Sequence, residues 1–507
     1  MRQLSEHDAA YIYSDTAHAN SNITLLHIYD QSTAPGGVVR FKQILAHVAS
    51  RLDRLPNFRE RILRVPLDLD YPYWVEDEHF NLEYHVRHIA LPKPGDWRQF
   101  CIQSSRIHAR PLDLQRPLWE MYVIEGLDSF LDLPVGSFAI LLKIHHAAVD
   151  MEHGNEITRL LHDLSPAAPL PVPAAPWFPE SPPGNLALFW LAGINLATFP
   201  LRMAQPLRAS WTALKSTVKT FAGEFLGQPH AFPMTRFNTE VSPQRVFETR
   251  RFALADFKSI RALVPHATVN DVVLAVCAGG LRSYLALQDE LPDDSMVAAM
   301  PIAVHSELES DPATQFSWVR VGLGTDIADP VQRLVAIQQA SSSSAAMAQA
   351  ISARELTSLA QQAPSLAIMA TSKMLRSASA LLGDWAPLAN CAINNVPGSR
   401  EPLFLQGAKL TYLSAIMPIS DGMGLVFSVT GYNNTIVVSV TGCYEQLPDP
   451  EVLAQCLRDS FQEYLALAQR VAKRRVRPVK SAQLVPVAPV ARQRKRRAAQ
   501  VAPSAPQ

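Results

Sequence analysis

Two adjacent histidines, followed four residues later by an aspartate, have the types and spacing that best fit catalysis in this sequence. They lie in the segment Ile144-His145-His146-Ala147-Ala148-Val149-Asp150. A neutral imidazole has an ordinary pKa of about 6.5, so it accepts a proton at cellular pH. His146 is therefore a candidate general base. Asp150 could orient the imidazole or hold the loop through an arginine, and spacing alone leaves both open.

The two histidines are expected to have different roles. They stand at the end of residues 137–144, a nearly continuous apolar run typical of a buried strand. Because adjacent strand residues point to opposite faces, one histidine is expected to reach a cavity and the other to pack. The same geometry disfavours a shared metal ion, whose histidine ligands usually stand four apart on a helix or are dispersed. No metal is expected.

Other catalytic schemes lack their motifs. We find no GxSxG nucleophile elbow and no glycine-rich phosphate loop. The five cysteines are far apart with no CxxC, which indicates free thiols in a reducing compartment. What remains is a base that takes a proton from an alcohol or amine, which then attacks an activated acyl group. By themselves, the histidines and the aspartate fit a packing role better than a catalytic one.

Length and proline content indicate two domains. A chain of 507 residues exceeds what one hydrophobic core usually supports. Residues 165–184 contain eight prolines, which disfavour helix and central strand and predict an extended tether. We predict an N-terminal domain at 1–164, a Pro-rich linker with an apolar segment at 165–235, a C-terminal domain at 236–472 and a disordered basic tail at 473–507.

The net charge of zero hides an uneven distribution. The tail carries ten Lys and Arg and no acid, which leaves 36 basic against 46 acidic residues elsewhere. An acidic body does not suggest a nucleic-acid-binding core. The tail could contact anionic lipid or RNA, or simply be solvated. The uncharged segment 181–201 could be an interfacial helix, a core helix or, least favoured because prolines interrupt both ends, a membrane span.

Four short segments, in this order, resemble motifs of one known family. They are Pro117-Leu118-Trp119-Glu120, His145 to Asp150, Val269-Asn270-Asp271-Val272-Val273-Leu274 and Asn394-Asn395-Val396-Pro397-Gly398. Leu4 to Asp8 and Tyr84 to Arg87 also fit. Together they make the chain similar, over about residues 3–465, to the bacterial wax ester synthase/diacylglycerol acyltransferases. These enzymes are relatives of the HHxxxDG acyltransferases and condensation domains.

The resemblance implies an α/β (α+β type) fold of two chloramphenicol-acetyltransferase-like domains. Each would be a mixed sheet flanked by helices, with the active site in a channel between the domains. His146 would be the proton acceptor, with His145 and Asp150 beside it. It would act on the hydroxyl of diacylglycerol or a long-chain fatty alcohol, and the oxygen would attack the thioester of acyl-CoA. The products would be triacylglycerol or wax ester, with acyl-CoA as co-substrate and no cofactor.

The remaining motif residues are expected either to shape the channel or to support the fold. These residues are Pro117, Trp119, Asn270, Asp271, Asn395, Pro397 and Gly398. Asn270 and Asp271 begin a helix, so they could position substrate or merely cap the helix.

Two positions depart from the family pattern. Met151 replaces the glycine after the motif aspartate, and Ser21-Asn22-Ile23 stands where many members carry Pro-Met-His. Met151 would be strained where a positive φ is needed, or would narrow the entrance where space is needed. The alternatives are therefore a different hydroxyl acceptor or a catalytically weak lipid-binding relative. The expected location is cytoplasmic, peripherally attached to the inner face of the plasma membrane or to lipid droplets.

Overall fold

The fold is known from a computed structural model of the chain. It describes residues 1–129, 133–149, 154–167, 177–195, 197, 232–304, 315–350, 389–396 and 398–476. The helices are α1 (Glu6–Ser14), α2 (Phe41–Ala49), α3 (Leu82–His85), α4 (Trp97–Ala109), α5 (Gly154–Leu161), α6 (Asn185–Asn195), α7 (Leu254–Arg261), α8 (Val269–Leu287), α9 (Pro330–Ala350) and α10 (Pro450–Val476).

Fifteen strands occur in the described ranges, and most of them belong to two six-stranded sheets. The strands are β1 (Arg2–Gln3), β2 (Asn22–Asp30), β3 (Glu60–Leu63), β4 (Tyr73–Glu76), β5 (Val86–Ala90), β6 (Trp119–Leu127), β7 (Ser137–His145), β8 (Arg245–Ala253), β9 (Val297–Val304), β10 (Gln315–Gly322), β11 (Cys391–Val396), β12 (Phe404–Leu405), β13 (Ala408–Ile416), β14 (Leu425–Tyr432) and β15 (Thr435–Cys443).

The first sheet has the strand order β12-β13-β2-β7-β6-β5. Only β5 and β6 run parallel, and the other neighbours are antiparallel. Every residue of β7 is buried. This matches the continuous apolar run of its sequence, because a central strand covered on both faces has no solvent side.

The second sheet has the order β10-β9-β11-β14-β15-β8, with β11 parallel to both of its neighbours. Helices α7, α8 and α10 pack on one face of it and form a core with residues such as Phe257, Leu274 and Phe461. Among the described residues, α8 alone is long and apolar enough to cross a membrane. Its residues 271–281 are all buried in this core.

Strand β13 joins the two halves of the chain. It comes from the C-terminal half, yet it pairs with β2 in the first sheet, where Leu413 lies opposite His27. Hydroxyl groups of the second sheet hold its other side: Ser428 Oγ donates to the Ala415 carbonyl at 2.5 Å, and Thr430 Oγ1 donates to the Leu413 carbonyl at 2.8 Å. Both hydroxyls are buried, so these bonds satisfy polar groups inside the molecule.

Helix α4 also bridges the two sheets. The ammonium of Lys143 on β7 donates to the Ile107 carbonyl near the C-terminus of α4 at 3.1 Å. At the other end of α4, the Trp97 indole donates to Glu248 Oε1 on β8 at 2.6 Å. The first sheet and the edge of the second are thus fixed to one helix.

The structure confirms two mixed sheets flanked by helices. The predicted division at 1–164, 165–235 and 236–472 stays a prediction, to which the structure adds that residues 404–416 pair into the first sheet. Most of the predicted linker and tail lies outside the described residues. Helix α7 is preceded by Ala253 at its N-cap, and Asp256 lies in its first turn.

The turn between β11 and β12 requires a glycine at position 398. A Cβ there would lie 2.1 Å from the Gly431 carbonyl oxygen on β14 and 2.9 Å from Leu413 Cδ2. We expect Gly398→Ala to lower the free energy of unfolding by about 1–3 kcal/mol, because backbone must move to admit the methyl group. Urea denaturation measures the change.

Gly431→Ala is the matched control, because a Cβ at position 431 would have no atom of the described residues within 4 Å. It should leave the midpoint of unfolding nearly unchanged. Equal stability of the two alanine variants would show that the close approach at Gly398 does not constrain the fold.

Candidate active site

The histidine pair lies at the end of β7, where the strand passes into a short 3₁₀ turn, His146–Ala148. The N–H of His145 donates to the Leu118 carbonyl at 3.0 Å, and the N–H of His146 donates to the Ser21 carbonyl at 2.8 Å. The segment before β2 and the segment before β6 thus hold the backbone of both histidines. The Asn57 amide donates to the Ala148 carbonyl at 3.1 Å and holds the turn that follows.

The ring of His145 is fully engaged inside the protein. Its Nε2 lies 2.9 Å from Asp15 Oδ2, and its Nδ1 accepts a hydrogen bond from the Ala147 N–H at 3.1 Å. Since Nδ1 is an acceptor, the proton of the neutral ring is on Nε2 and points at the carboxylate. With 1% of its surface exposed, His145 has no free nitrogen for a substrate.

The ring of His146 lies against Tyr11 of α1. The two ring centroids are 4.0 Å apart, with planes inclined by 18°. His146 is 8% exposed, and Ala147, Ala148 and Val149, which follow it, are buried in the main core of the first sheet. The imidazole therefore sits in a largely apolar setting, with one face covered by an aromatic ring.

Helix α1 supplies two side chains that sequence reasoning missed. Tyr11 and Asp15 stand one helical turn apart, and they contact His146 and His145 respectively. Asp15 also accepts from the Ser21 N–H through Oδ1 at 2.8 Å. More than 130 residues separate the helix from the histidines, so no local spacing in the sequence indicates these contacts.

Three predicted site residues lie outside the described residues. They are Asp150, the expected partner of the histidines, Met151, the replacement for the family glycine, and Pro397. Their roles stay predictions. The carboxylate that the structure places on a histidine of the pair is that of Asp15.

The segment from Pro117 to Trp119 contacts the backbone of the histidine pair and the core around Phe58. The Leu118 carbonyl receives the His145 N–H. The Trp119 indole is 1% exposed, donates to the Phe58 carbonyl at 2.8 Å and stacks on Phe58 with centroids 4.5 Å apart. Through these contacts, Leu118 and Trp119 support the end of β7 and the core beside it.

Asp271 caps α8 together with Thr268. The Asp271 N–H donates to Thr268 Oγ1 at 3.1 Å, and Asp271 Oδ2 accepts from the Thr268 N–H at 2.7 Å. This reciprocal pair is a capping box, one of the two roles foreseen for the residue. Its second oxygen, Oδ1, is buried and has no hydrogen-bond partner among the described residues. Asn270, one residue earlier, is half-buried.

On β11 the buried asparagine is Asn394 and not the predicted Asn395. Asn395 is exposed, whereas Asn394 is 6% exposed and its buried Oδ1 has no hydrogen-bond partner in the part of the chain that the structure describes. Asn394 shares its strand face with Ala392, which packs in the same core as Ala147 and Ala148. Gly398, by contrast, is explained by its close approach to β14.

Two ionisable side chains are buried behind the end of β7. Lys143 has no exposed surface, and burial lowers its pKa to about 8, although Glu120 raises it. His108 of α4 lies 2.9 Å from Thr24 Oγ1, and burial and the Lys143 charge lower its pKa to about 3. At neutral pH His108 is therefore uncharged. In the part of the chain described, no three His, Cys, Asp or Glu side chains are grouped to hold a metal ion.

Comparison with known proteins places these features in one family. The model of the wax ester synthase/diacylglycerol acyltransferase catalytic domain matches residues 4–273, and that of the family's C-terminal domain matches residues 313–464. A candidate diacylglycerol O-acyltransferase of Mycobacterium tuberculosis is 30% identical over 92% of this chain and 90% of its own length. The O-acyltransferase WSD of Acinetobacter baylyi is 30% identical over 77% of this chain and 82% of its own.

Solved structures share the fold. A wax ester synthase/diacylglycerol acyltransferase from Marinobacter aquaeolei matches with a TM-score of 0.66 and 24% identity, covering 92% of this chain and 100% of that one. The starter condensation domain of rhizomide synthetase, in complex with C8-CoA and Leu-SNAC, matches with a TM-score of 0.50 and 14% identity. That match covers 92% of this chain and 94% of the condensation domain.

The low pKa of His108 has a consequence for acid stability. In the unfolded chain a histidine binds a proton below about pH 6.5, whereas His108 in the folded protein stays neutral until about pH 3. The contribution of His108 to the free energy of unfolding is therefore fully present above pH 6.5. It is lost as pH falls towards 3, by about 1.4 kcal/mol per pH unit. We expect His108→Gln to make the free energy of unfolding less dependent on pH between 6.5 and 5 by about that slope.

Urea denaturation at several pH values measures the effect. His79→Gln is the control, because His79 is exposed; it should keep the wild-type pH dependence. A His108 variant with the wild-type slope would show that this imidazole is protonated in the folded protein.

Proposed function

Because this chain belongs to the wax ester synthase/diacylglycerol acyltransferase family, we propose that it transfers a fatty acyl group from acyl-CoA to a lipid hydroxyl with His146 as the base. The acceptor is the hydroxyl of diacylglycerol or of a long-chain fatty alcohol. The products are triacylglycerol or wax ester, and free CoA.

The family and the fold implied by the sequence motifs are confirmed, as is the identification of an acyltransferase of this type. The roles of single residues, a channel between the domains, the order of the steps and the membrane association are proposals. The rhizomide synthetase condensation domain, which has the same fold, holds C8-CoA, and this supports a CoA thioester as the donor.

The chemistry needs one base and no enzyme nucleophile. The imidazole of His146 takes the proton of the acceptor hydroxyl as its oxygen attacks the thioester carbonyl carbon. The tetrahedral intermediate then breaks its carbon–sulfur bond, and the imidazolium returns the proton to the CoA thiolate. The net change is one ester formed and one thioester broken. A general base of this kind contributes about 10²–10⁴-fold to the rate.

The observation that carries the proposal is that the two imidazole rings of the histidine pair make different contacts. His145 uses both ring nitrogens inside the protein, whereas the ring of His146 stacks on Tyr11 and its backbone N–H donates to the Ser21 carbonyl. Its apolar neighbours Ala147, Ala148 and Val149 suit a lipid acceptor, because they keep the base poorly hydrated.

We expect His146→Ala to lower kcat by about 10²–10⁴-fold. The assay uses palmitoyl-CoA with hexadecanol or diacylglycerol, and it follows both the CoA thiol released and the ester formed. His79→Ala, at an exposed histidine, is the control and should keep wild-type turnover.

Full turnover by the His146 variant would sink the base assignment. Absence of turnover by the wild type with every lipid acceptor would favour the alternative of a lipid-binding relative. Turnover with a short polar alcohol in preference to both lipids would favour a different hydroxyl acceptor.

For location we propose that the enzyme works at a lipid surface, the inner face of the plasma membrane or a lipid droplet, through helix α6. One side of this helix, with Leu188 and Ala192, is buried against Val65, Tyr73 and Val75 near the small sheet β1-β4-β3. The opposite side exposes large apolar side chains: Leu186 (81%), Trp190 (69%), Ile194 (45%) and Phe189 (43%).

An exposed apolar stripe that includes a tryptophan suits the boundary between headgroups and acyl chains. The ten Lys and Arg of residues 473–507 add attraction to anionic lipid. Both features support attachment without a membrane span.

We expect the double variant Leu186→Gln, Trp190→Gln to bind anionic phospholipid vesicles on the order of tenfold more weakly than the wild type, because it removes two large apolar groups from the contact. Co-sedimentation measures the bound fraction. Leu287→Gln is the control, since Leu287 is equally exposed at the end of α8 (67%). Unchanged binding by the double variant at both low and high salt would refute α6 as the anchor.

A further inference from the structure

We propose that helix α1 is a positioning element for the general base, with Tyr11 orienting the ring of His146 and Asp15 locking the backbone and the neighbouring histidine. The inference rests on the proposed function, because it assigns these residues their purpose through His146. Neither residue touches substrate in this account; both act through the histidine pair.

The first contact is the stack of Tyr11 on His146. With centroids 4.0 Å apart and planes inclined by 18°, the phenol ring covers one face of the imidazole and restricts rotation about its side-chain bonds. An electron-rich ring face also attracts a cation, so it stabilises the imidazolium that forms while His146 holds the proton of the acceptor. One side chain thus fixes the direction of the base and favours its charged form.

The second contact is the carboxylate of Asp15, which receives two donors at once. Oδ2 accepts from His145 Nε2 at 2.9 Å, and Oδ1 accepts from the Ser21 N–H at 2.8 Å. The Ser21 carbonyl in turn accepts the His146 N–H at 2.8 Å. Asp15 is therefore linked to both histidines, to one through its ring and to the other through its backbone.

The position of Asp15 in the chain is unfavourable for α1 itself. It is the C-cap of the helix, and the last turn contains no basic residue. A negative charge at a helix C-terminus opposes the helix dipole. The hydrogen bonds from the His145 ring and the Ser21 N–H offset this local cost, which indicates that the residue serves the histidines rather than its own helix.

The two residues come from one rigid piece of structure. Tyr11 and Asp15 are four residues apart, so both point to the same side of α1. The Asp15 N–H donates to the Tyr11 carbonyl at 3.2 Å, which joins them through the last turn. A shift of α1 would therefore move both contacts together. Misplacing a catalytic base by about 1 Å costs on the order of 10²-fold in rate.

An asparagine at position 15 tests the carboxylate sharply. Its amide has one acceptor oxygen, but His145 Nε2–H and the Ser21 N–H both need an acceptor, so one donor must face an NH₂ group. We expect Asp15→Asn to lower kcat about 10–100-fold, with KM for palmitoyl-CoA within about threefold of wild type. Asp15→Glu, which keeps two acceptor oxygens, should recover part of the loss.

For the stack, Tyr11→Leu removes the ring and Tyr11→Phe keeps it. We expect a loss in kcat of about 10–100-fold for leucine and less than about threefold for phenylalanine, again with little change in KM. Ser14→Ala is the control on the same helix, because Ser14 is exposed and should keep wild-type kinetics. Circular dichroism and the thermal midpoint verify that each variant is folded.

The decisive measurement repeats Tyr11→Leu in the His146→Ala background. If Tyr11 acts through the imidazole, the second substitution leaves the residual rate unchanged. A further loss as large as that in the wild type would overturn the proposal, as would wild-type kcat in both Tyr11→Leu and Asp15→Asn. Should Asp15→Asn fail to fold, Asp15→Glu and the Tyr11 series decide the question. Full activity of His146→Ala would instead refute the assignment of His146 as the base in the proposed function.

Discussion

The change from strand to turn at the end of β7 is the constraint on which the site depends. His145 is the last residue of the strand and His146 is the first of the 3₁₀ turn, so the backbone passes from extended to helical conformation between the two side chains. At positions 145 and 146 this separates one imidazole that is locked by Asp15 and the Ala147 N–H from another that meets the ring of Tyr11. The pair can work as a unit only if β7 is held firmly. It is held by β2 on one side and β6 on the other, in the interior of the first sheet.

The short segment between α1 and β2 ties this site to the second half of the chain. Ser21 holds the backbone of His146, while three residues earlier His18 Nε2 lies 3.1 Å from Asp421 Oδ2 in the loop after β13. The buried guanidinium of Arg245 on β8 donates to the His18 carbonyl. Strand β13 makes the same connection from the opposite direction, because it leaves the second half of the chain to pair with β2. The backbone at His146 is thus restrained by contacts from both halves of the molecule.

The features that depend on residues close together in the sequence could be predicted, and those that depend on distant residues could not. The run 137–144 predicts the buried strand β7, and the apolar helix α8 is predicted over most of its length, because both depend on neighbours in the chain. The partners of the histidines could not be predicted. Asp15 lies 130 residues before His145, and an aspartate after a short helix has no local signature of that role. Strand β2 was also missed, although it is the neighbour of β7. Met151 and Asp150, on which the sequence argument placed the substrate entrance and the loop, lie outside the described residues.

The setting of His146 bears on a problem that any hydroxyl-activating base must solve. A base that deprotonates an alcohol can deprotonate water, and water would hydrolyse the acyl thioester. His146 is 8% exposed and is followed by three buried apolar residues, so few waters can reach it in an attacking position. Removing water also disfavours cations in general, and the reaction proposed above passes through an imidazolium. A stacked aromatic ring answers this conflict, because it attracts a cation without bringing in water or a competing proton acceptor. In the proposed mechanism, Tyr11 therefore allows the site to be dry enough to protect the thioester while the base still carries the proton from the acceptor to the leaving thiolate.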